Sequence, residues 1–146
     1  IRTTVYRQTM FASFEREVHG RAADGRDTTP DGLRELWYEL NRKYYGPDIV
    51  IDEELRMEWA RIPHFYNPFY VYQYATGFSA ATALAGLILE KGVQSRDRYL
   101  EFLSMGGSDY PIELLKRAGV DMSSPKPLKE VVKIFNGTLD EMEKLL

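Results

Sequence analysis

The residue types most able to do chemistry lie together in residues 63–74, which read Pro-His-Phe-Tyr-Asn-Pro-Phe-Tyr-Val-Tyr-Gln-Tyr. A phenol has an ordinary pKa of about 10 and stays a neutral hydrogen-bond donor at pH 7. It can stabilise a developing oxyanion or hold a peptide backbone. A neighbouring histidine can donate to a carbonyl group or transfer a proton. The candidate residues are His64, Tyr66, Tyr70, Tyr72 and Tyr74. The alternative interpretation is aromatic packing of a buried helix, with each hydroxyl bonded to a nearby carbonyl.

A second cluster comprises Glu15, Glu17 and His19. Glu15 and His19 stand four residues apart, on one face of a helix, where a metal could use both. Metal sites need three or four ligands, and the sequence His-Glu-x-x-His is absent, so we interpret the cluster as a solvated helix end. Residues 106–109, Gly-Gly-Ser-Asp, are more typical of a helix C-cap and turn than of an anion-binding nest.

Composition excludes several classes of function. The 146 residues carry 19 Lys and Arg against 22 Asp and Glu, a net charge of −3, which argues against a nucleic-acid partner. There is no cysteine, so disulfides and thiolate zinc sites are excluded. The two histidines, His19 and His64, are 45 positions apart, and we expect no metal site in this chain. No run of about 18 apolar residues occurs, so we expect no membrane partner.

The hydrophobic spacing predicts an all-α protein that forms a single helical unit over residues 1–146. Proline and capping residues set the predicted helix starts at Thr29, Asn67 and Ser95, and glycine sets the ends. The helix over residues 68–91 carries small residues on all faces and is predicted to be the most buried. The other predicted helices cover residues 4–19 (ended by Gly20), 30–45, 95–105, 111–118 and 125–146, with one or two helical turns at 53–61.

Three stretches together resemble the oligoendopeptidase F family. Residues 5–15, Val-Tyr-Arg-Gln-Thr-Met-Phe-Ala-Ser-Phe-Glu, resemble the helix that follows that family's metal site. Residues 62–81 resemble its substrate-binding segment, and residues 106–122 fit as well. The resemblance extends in order over essentially the whole chain. This family belongs with the thimet oligopeptidases, zinc peptidases that cleave short peptides inside a deep channel.

The resemblance implies a multi-helix C-terminal part of a zincin-like catalytic domain. In the intact zinc metalloendopeptidase, zinc would be bound by a His-Glu-x-x-His motif and a downstream glutamate, and zinc-bound water would attack the peptide carbonyl. Those residues would lie before Ile1, and the start at Ile1 rather than Met suggests a piece of a longer protein. We therefore expect the chain alone to bind no zinc and to be inactive. Its partners would be short peptides and the missing N-terminal part, in the cytoplasm.

Residue by residue, the resemblance implies roles within the aromatic segment. His64 would contact the substrate near the scissile bond, and Tyr72 would donate to the oxyanion. The remaining tyrosines, Tyr66, Tyr70 and Tyr74, would bind substrate with His64. The thimet branch has Tyr-Tyr-x-Tyr where this chain has Phe-Tyr-Val-Tyr, so Phe69 lacks one hydroxyl.

A different class of function also fits the sequence. A freestanding helical peptide- or protein-binding module could keep the same fold without catalysis. If partner helices are missing, the helix over residues 4–19 and the aromatic segment should expose apolar surface, and the chain should self-associate.

Overall fold

The computed structural model describes residues 1–146. It contains helices and no strand, which confirms the all-α expectation. The chain folds as two compact units, one comprising Arg2–Ala75 and the other Ile1 with Thr76–Leu146. A single helical unit over residues 1–146 stays a prediction. The α-helices are α1 (Gln8–Ala23), α2 (Pro30–Tyr45), α3 (Tyr72–Lys91), α4 (Val93–Met105), α5 (Pro111–Arg117) and α6 (Lys126–Glu143).

Shorter helical segments complete the first unit. A π-helical segment, Arg2–Arg7, leads into α1, and 3-10 helices form at Glu53–Arg61 and Pro63–Tyr66. The expected end of the first helix at Gly20 is wrong, because α1 continues to Ala23. Beyond Gly20, the Arg21 Nε donates to Glu17 Oε1 at 3.1 Å, one turn earlier on the same helix.

Helix α2 begins and ends as its sequence predicts. The Thr29 hydroxyl accepts a hydrogen bond from the Gly32 N–H at 3.3 Å, and Pro30 occupies the first helical position. Gly46 ends the helix with φ 86°, a conformation that glycine adopts without steric cost.

The core of the first unit is aromatic and lies between α1 and α2. Phe14 contacts Trp37 edge to face, with ring centroids 5.0 Å apart. Phe65, from the second 3-10 helix, packs on Phe14 at 5.4 Å. The fully or nearly fully buried members are Met10, Phe11, Phe14, Trp37, Ile62 and Val71. The apolar side of α1 is therefore core, and the expectation that this helix exposes an apolar face is wrong.

Helix α3 starts later than its sequence suggests. The Asn67-Pro68 pair does not begin a helix, because Phe69 adopts φ 59° and interrupts the helical path. The helix begins at Tyr72 and ends at Lys91, where Gly92 has φ 66°. The expectation that α3 is the most buried helix is wrong in this chain: most of its positions are exposed, including Gly77, Ala81 and Ala85.

The second unit is closed by glycine-dependent turns. Gly92 reverses the chain so that α4 begins at Val93, and the predicted start at Ser95 is wrong because Ser95 is buried inside the first turn. After α5, the Gly119 N–H donates to Lys116 O and the Val120 N–H to Leu115 O, both at 2.9 Å. This Schellman motif places Val120 in a core with Leu84 and Ala118.

Helix α6 runs uninterrupted through Gly137 and carries buried Val131. None of the helices has the length and apolar character that a membrane span requires.

Candidate functional site

Buried apolar residues anchor the aromatic segment, residues 63–74, at both ends. Ile62 precedes it and Val71 lies within it, and both belong to the core of the first unit. Between them, Phe65 packs against Phe11 with ring centroids 5.7 Å apart. Between Ile62 and Val71, His64 and Phe65 are half-buried and the other residues are exposed, so the segment is held at these two positions and presents polar aromatic groups to solvent.

The structure brings His64, Tyr70 and Tyr74 together as one cluster, the His–Tyr cluster. The rings of His64 and Tyr70 are stacked, with centroids 5.8 Å apart and planes inclined by 22°. Tyr74 meets both rings edge on, at 6.0 Å from His64 and 5.6 Å from Tyr70. Its Oη lies 3.3 Å from His64 Nε2, and the histidine tautomer decides which group donates.

The pKa of Tyr74 is raised by its surroundings. A hydrogen bond with Tyr70 raises the pKa of Tyr74 above that of an ordinary phenol, and desolvation and the charge of an ionised Tyr70 act in the same direction. Tyr74 therefore keeps its proton to a higher pH than an ordinary phenol does.

Tyr72 and Tyr66 are the two further tyrosines of the aromatic segment. Tyr72 is the first residue of α3 and 48% exposed. It precedes Tyr74 by two residues, so the two side chains leave the helix about 200° apart. Tyr66 ends the second 3-10 helix and is 83% exposed. The segment thus offers phenols in more than one direction.

A charged network braces the 3-10 helix that leads into the segment. Arg7 donates to Glu58 Oε1 at 2.6 Å and to the Tyr45 hydroxyl at 2.8 Å, and Arg61 donates to the same Glu58 oxygen at 2.9 Å. Burial opposes the charge on Arg7, but the hydrogen bonds with Tyr45 and Glu58 prevail and raise its pKa. These contacts tie residues 53–61 to the start of the chain.

The sequence interpretation of Glu15 as part of a solvated helix end is wrong. Its side chain is 5% exposed, and Oε1 accepts a hydrogen bond from the Phe69 N–H at 2.7 Å. His19, one turn later on α1, contacts the Phe69 ring with centroids 4.7 Å apart. The four-residue spacing of Glu15 and His19 predicts that they share one face of the helix. It does not predict that the aromatic segment packs on this face.

The residues present do not fit a zinc ion. No group of three or more His, Asp or Glu side chains in residues 1–146 is close enough to hold a metal. At residues 106–109, Gly106 has φ 54° after α4, and the Asp109 carboxylate accepts hydrogen bonds from the Tyr110 N–H and Arg117. That geometry is a C-cap and turn, with a carboxylate where an anion would bind.

Two cavities of the protein are lined by residues other than those of the His–Tyr cluster. An apolar cavity of about 600 Å³ in the second unit is lined by α3, α4 and α5 and contains none of the predicted site residues. In the first unit, a cleft of about 290 Å³ is lined by residues of α1, α2, the first 3-10 helix and the aromatic segment, including Tyr66. Neither cavity is lined by His64, Tyr70 or Tyr74.

Comparisons with known proteins point to one family. The family described as "Peptidase family M3" matches residues 2–134. Oligopeptidase PepF of Bacillus subtilis is 55% identical over 145 residues, which are 99% of this chain and 22% of that protein. The plasmid-encoded oligoendopeptidase F of Lactococcus lactis subsp. cremoris is 46% identical over 99% of this chain and 24% of its own length.

A solved structure has the same fold. The crystal structure of oligoendopeptidase-F from Enterococcus faecium matches with a TM-score of 0.94 and 46% identity, over 97% of this chain and 27% of that one. The chain therefore spans about a quarter of the length of the relatives it matches.

Proposed function

The chain belongs to peptidase family M3, and on that premise we propose that it forms the substrate-binding part of a metallo-oligoendopeptidase. The resemblance to the oligoendopeptidase F family is confirmed. The observation that carries the proposed role is the His–Tyr cluster, in which His64, Tyr70 and Tyr74 present an imidazole and two phenols on a segment anchored by buried Ile62 and Val71.

The substrates would be short peptides, bound through their backbones. A peptide backbone offers one carbonyl acceptor and one N–H donor per residue. Tyr74, which keeps its proton at neutral pH, would donate to a backbone carbonyl, while His64 would contact the substrate near the scissile bond. Tyr70 and Tyr66 would extend the same contacts along the peptide.

Tyr72 would serve the chemical step. Its phenol is about half exposed at the start of α3, which leaves it accessible to a bound peptide. As the attacked carbonyl becomes tetrahedral, its oxygen gains charge, and a hydrogen bond from a neutral phenol strengthens with that charge. Stabilisation of this kind lowers the barrier more than it tightens ground-state binding.

The rest of such an enzyme would be the chief macromolecular partner. Relatives about four times as long as this chain supply the basis for this proposal. The zinc ion that the family implies would be held by residues of that remainder, in keeping with the poor fit of a metal to residues 1–146. Hydrolysis of short peptides, and a cytoplasmic location, are proposed for the full-length enzyme.

Kinetics of the full-length enzyme test the proposal. His64→Ala should lower kcat and raise KM for a short peptide, with kcat/KM reduced by about 5- to 30-fold. Tyr70→Phe and Tyr74→Phe should each raise KM by about 2- to 10-fold, because each removes one hydrogen bond.

Tyr110→Phe is the matched control, since it removes a phenol that is 80% exposed and outside the aromatic segment. Its kinetic constants should equal those of the wild type. Normal constants for His64→Ala as well would refute the substrate-binding role and favour core packing of the segment.

A further inference from the structure

Phe69 has a backbone conformation that a residue with a side chain rarely adopts. Its φ of 59° lies in the left-handed region, where the Cβ atom crowds the backbone, and it is the only non-glycine residue with a positive φ. A conformation of this kind persists only when the surrounding structure holds it. The group that holds Phe69 therefore decides the path of the aromatic segment.

Glu15 is the group in position to do so. Its carboxylate is buried, and its Oε1 accepts the Phe69 N–H at 2.7 Å across 54 positions of the sequence. This distance is at the short end of the range for N–H···O hydrogen bonds, so the carboxyl oxygen and the amide are in close contact. His19 adds a ring contact to the exposed side chain of Phe69, so α1 contacts both the backbone and the ring of this residue.

The conformation of Phe69 sets the direction of the His–Tyr cluster. Phe69 lies between His64 and Tyr70, and Tyr70 follows it directly. A rotation about the φ angle of Phe69 would carry Tyr70 out of its stacked contact with His64. It would also break the hydrogen bond by which Tyr70 raises the pKa of Tyr74.

We infer that Glu15 is a positioning residue for peptide binding: by accepting the Phe69 N–H, it holds the aromatic segment so that His64, Tyr70 and Tyr74 form one binding surface. The inference rests on the proposed substrate-binding function. Glu15 acts through Phe69 and need not touch the peptide. Its effect depends on the reach of its side chain to the Phe69 N–H, with the charge contributing less.

Two variants of the full-length enzyme distinguish the effect of the length of the Glu15 side chain from the effect of its charge. Glu15→Asp keeps the charge but shortens the side chain by one methylene, so its oxygen no longer reaches the Phe69 N–H. Glu15→Gln keeps the reach and an acceptor oxygen but removes the charge. Glu17→Asp is the matched control, the same change on the same helix at a residue that pairs with Arg21 and Arg26 at the surface.

Hydrogen exchange of the Phe69 amide measures the positioning directly and does not depend on catalysis. Glu15→Asp should exchange this amide at least about tenfold faster than the wild type, while Glu15→Gln and Glu17→Asp should stay protected. Equal protection in wild type and Glu15→Asp would overturn the inference.

Kinetics measure the consequence for the substrate. Glu15→Asp should raise KM for a short peptide by about tenfold and change kcat less, with zinc content unaltered, and Glu15→Gln should restore most of this loss. The reverse order, loss in Glu15→Gln and retention in Glu15→Asp, would show a role for charge and overturn the inference. So would a lowered Tm in both variants with unchanged KM.

The two proposals fail differently. If His64→Ala leaves the kinetic constants normal, the substrate-binding function fails, whatever Glu15 does to the Phe69 amide. If His64→Ala is impaired while Glu15→Asp has normal KM and normal amide protection, only the role of Glu15 fails.

Discussion

The Oη atom of Tyr74 lies 3.3 Å from Nε2 of His64, so the first turn of α3 meets the 3-10 helix ten residues earlier through two side chains that can both donate and accept hydrogen bonds. Tyr70 stacks on the same imidazole and raises the pKa of Tyr74. Two phenols thus contact the imidazole of His64, and this arrangement sets the expectations for mutation and pH.

The pH at which the Tyr74 phenol ionises should depend on its hydrogen bond with Tyr70. The raised pKa means that folding favours the protonated phenol, so this contribution to stability is complete below the ordinary tyrosine pKa of about 10 and is lost as the pH rises through the folded-state pKa. In an ultraviolet titration, Tyr70→Phe should bring the ionisation of Tyr74 back towards the ordinary value. Tyr110→Phe is the control, because Tyr110 lies outside the aromatic segment, and it should leave the ionisation of Tyr74 unchanged. An unshifted Tyr74 in the wild type would contradict the assigned bond.

Tyr72→Phe should lower kcat in the full-length enzyme far more than it changes KM, because the hydrogen bond is strongest once the carbonyl has become an oxyanion. Loss of one such donor costs about 10²- to 10³-fold, or about 2.7–4 kcal/mol. The ring remains, so stability should change by no more than about 1 kcal/mol. Steady-state kinetics with zinc content checked provide the measurement. A kcat within about threefold of the wild type would remove Tyr72 from the chemical step.

Phe14→Ala should destabilise the first unit by about 3–5 kcal/mol, since Phe14 is buried and contacts Trp37, Trp59 and Phe65 through its ring. Denaturant unfolding measures the change. Val50→Ala is the control, because Val50 is 85% exposed and its truncation should cost within about 0.5 kcal/mol. Similar losses in the two variants would contradict the assignment of the core.

Exposed apolar side chains should make the isolated chain self-associate. The aromatic segment exposes Tyr66 and Phe69, as its sequence predicts, and the second unit adds Leu89, Leu100 and Leu103. Apolar surface of this kind promotes association. Light scattering should detect dimers or larger species at moderate concentration, and Leu89→Ser with Leu100→Ser should reduce them. A monomer at high concentration would contradict this expectation.

The isolated chain should neither bind zinc tightly nor hydrolyse peptides. His19 and His64 are its only histidines, and neither belongs to a group of three metal-ligating side chains. Metal analysis after dialysis against zinc, together with a quenched fluorescent peptide, tests both statements. One zinc ion per chain, or turnover well above the buffer rate, would contradict them.

The end of a helix could be predicted from the sequence where it depends only on residues within a few positions of it. Thr29 and Pro30 start α2, and Gly46 ends it, because the cap hydrogen bond and the glycine conformation involve residues within a few positions. The same reasoning failed at Asn67-Pro68, where the local signal was good but Phe69 adopts φ 59°. A contact 54 positions away, from Glu15, stabilises that conformation.

By itself, the sequence determined the all-α class, the family, and the location in residues 63–74 of the residues able to do chemistry. Each of these depends on hydrophobic spacing, helix caps and residue types, which can be read from short stretches of the sequence. Only the tertiary structure decided which of those residues lie together. It brings His64, Tyr70 and Tyr74 into one cluster and buries Glu15 against the Phe69 backbone. Side-chain direction in a segment with a left-handed residue depends on packing between distant elements, and no periodicity in the sequence encodes it.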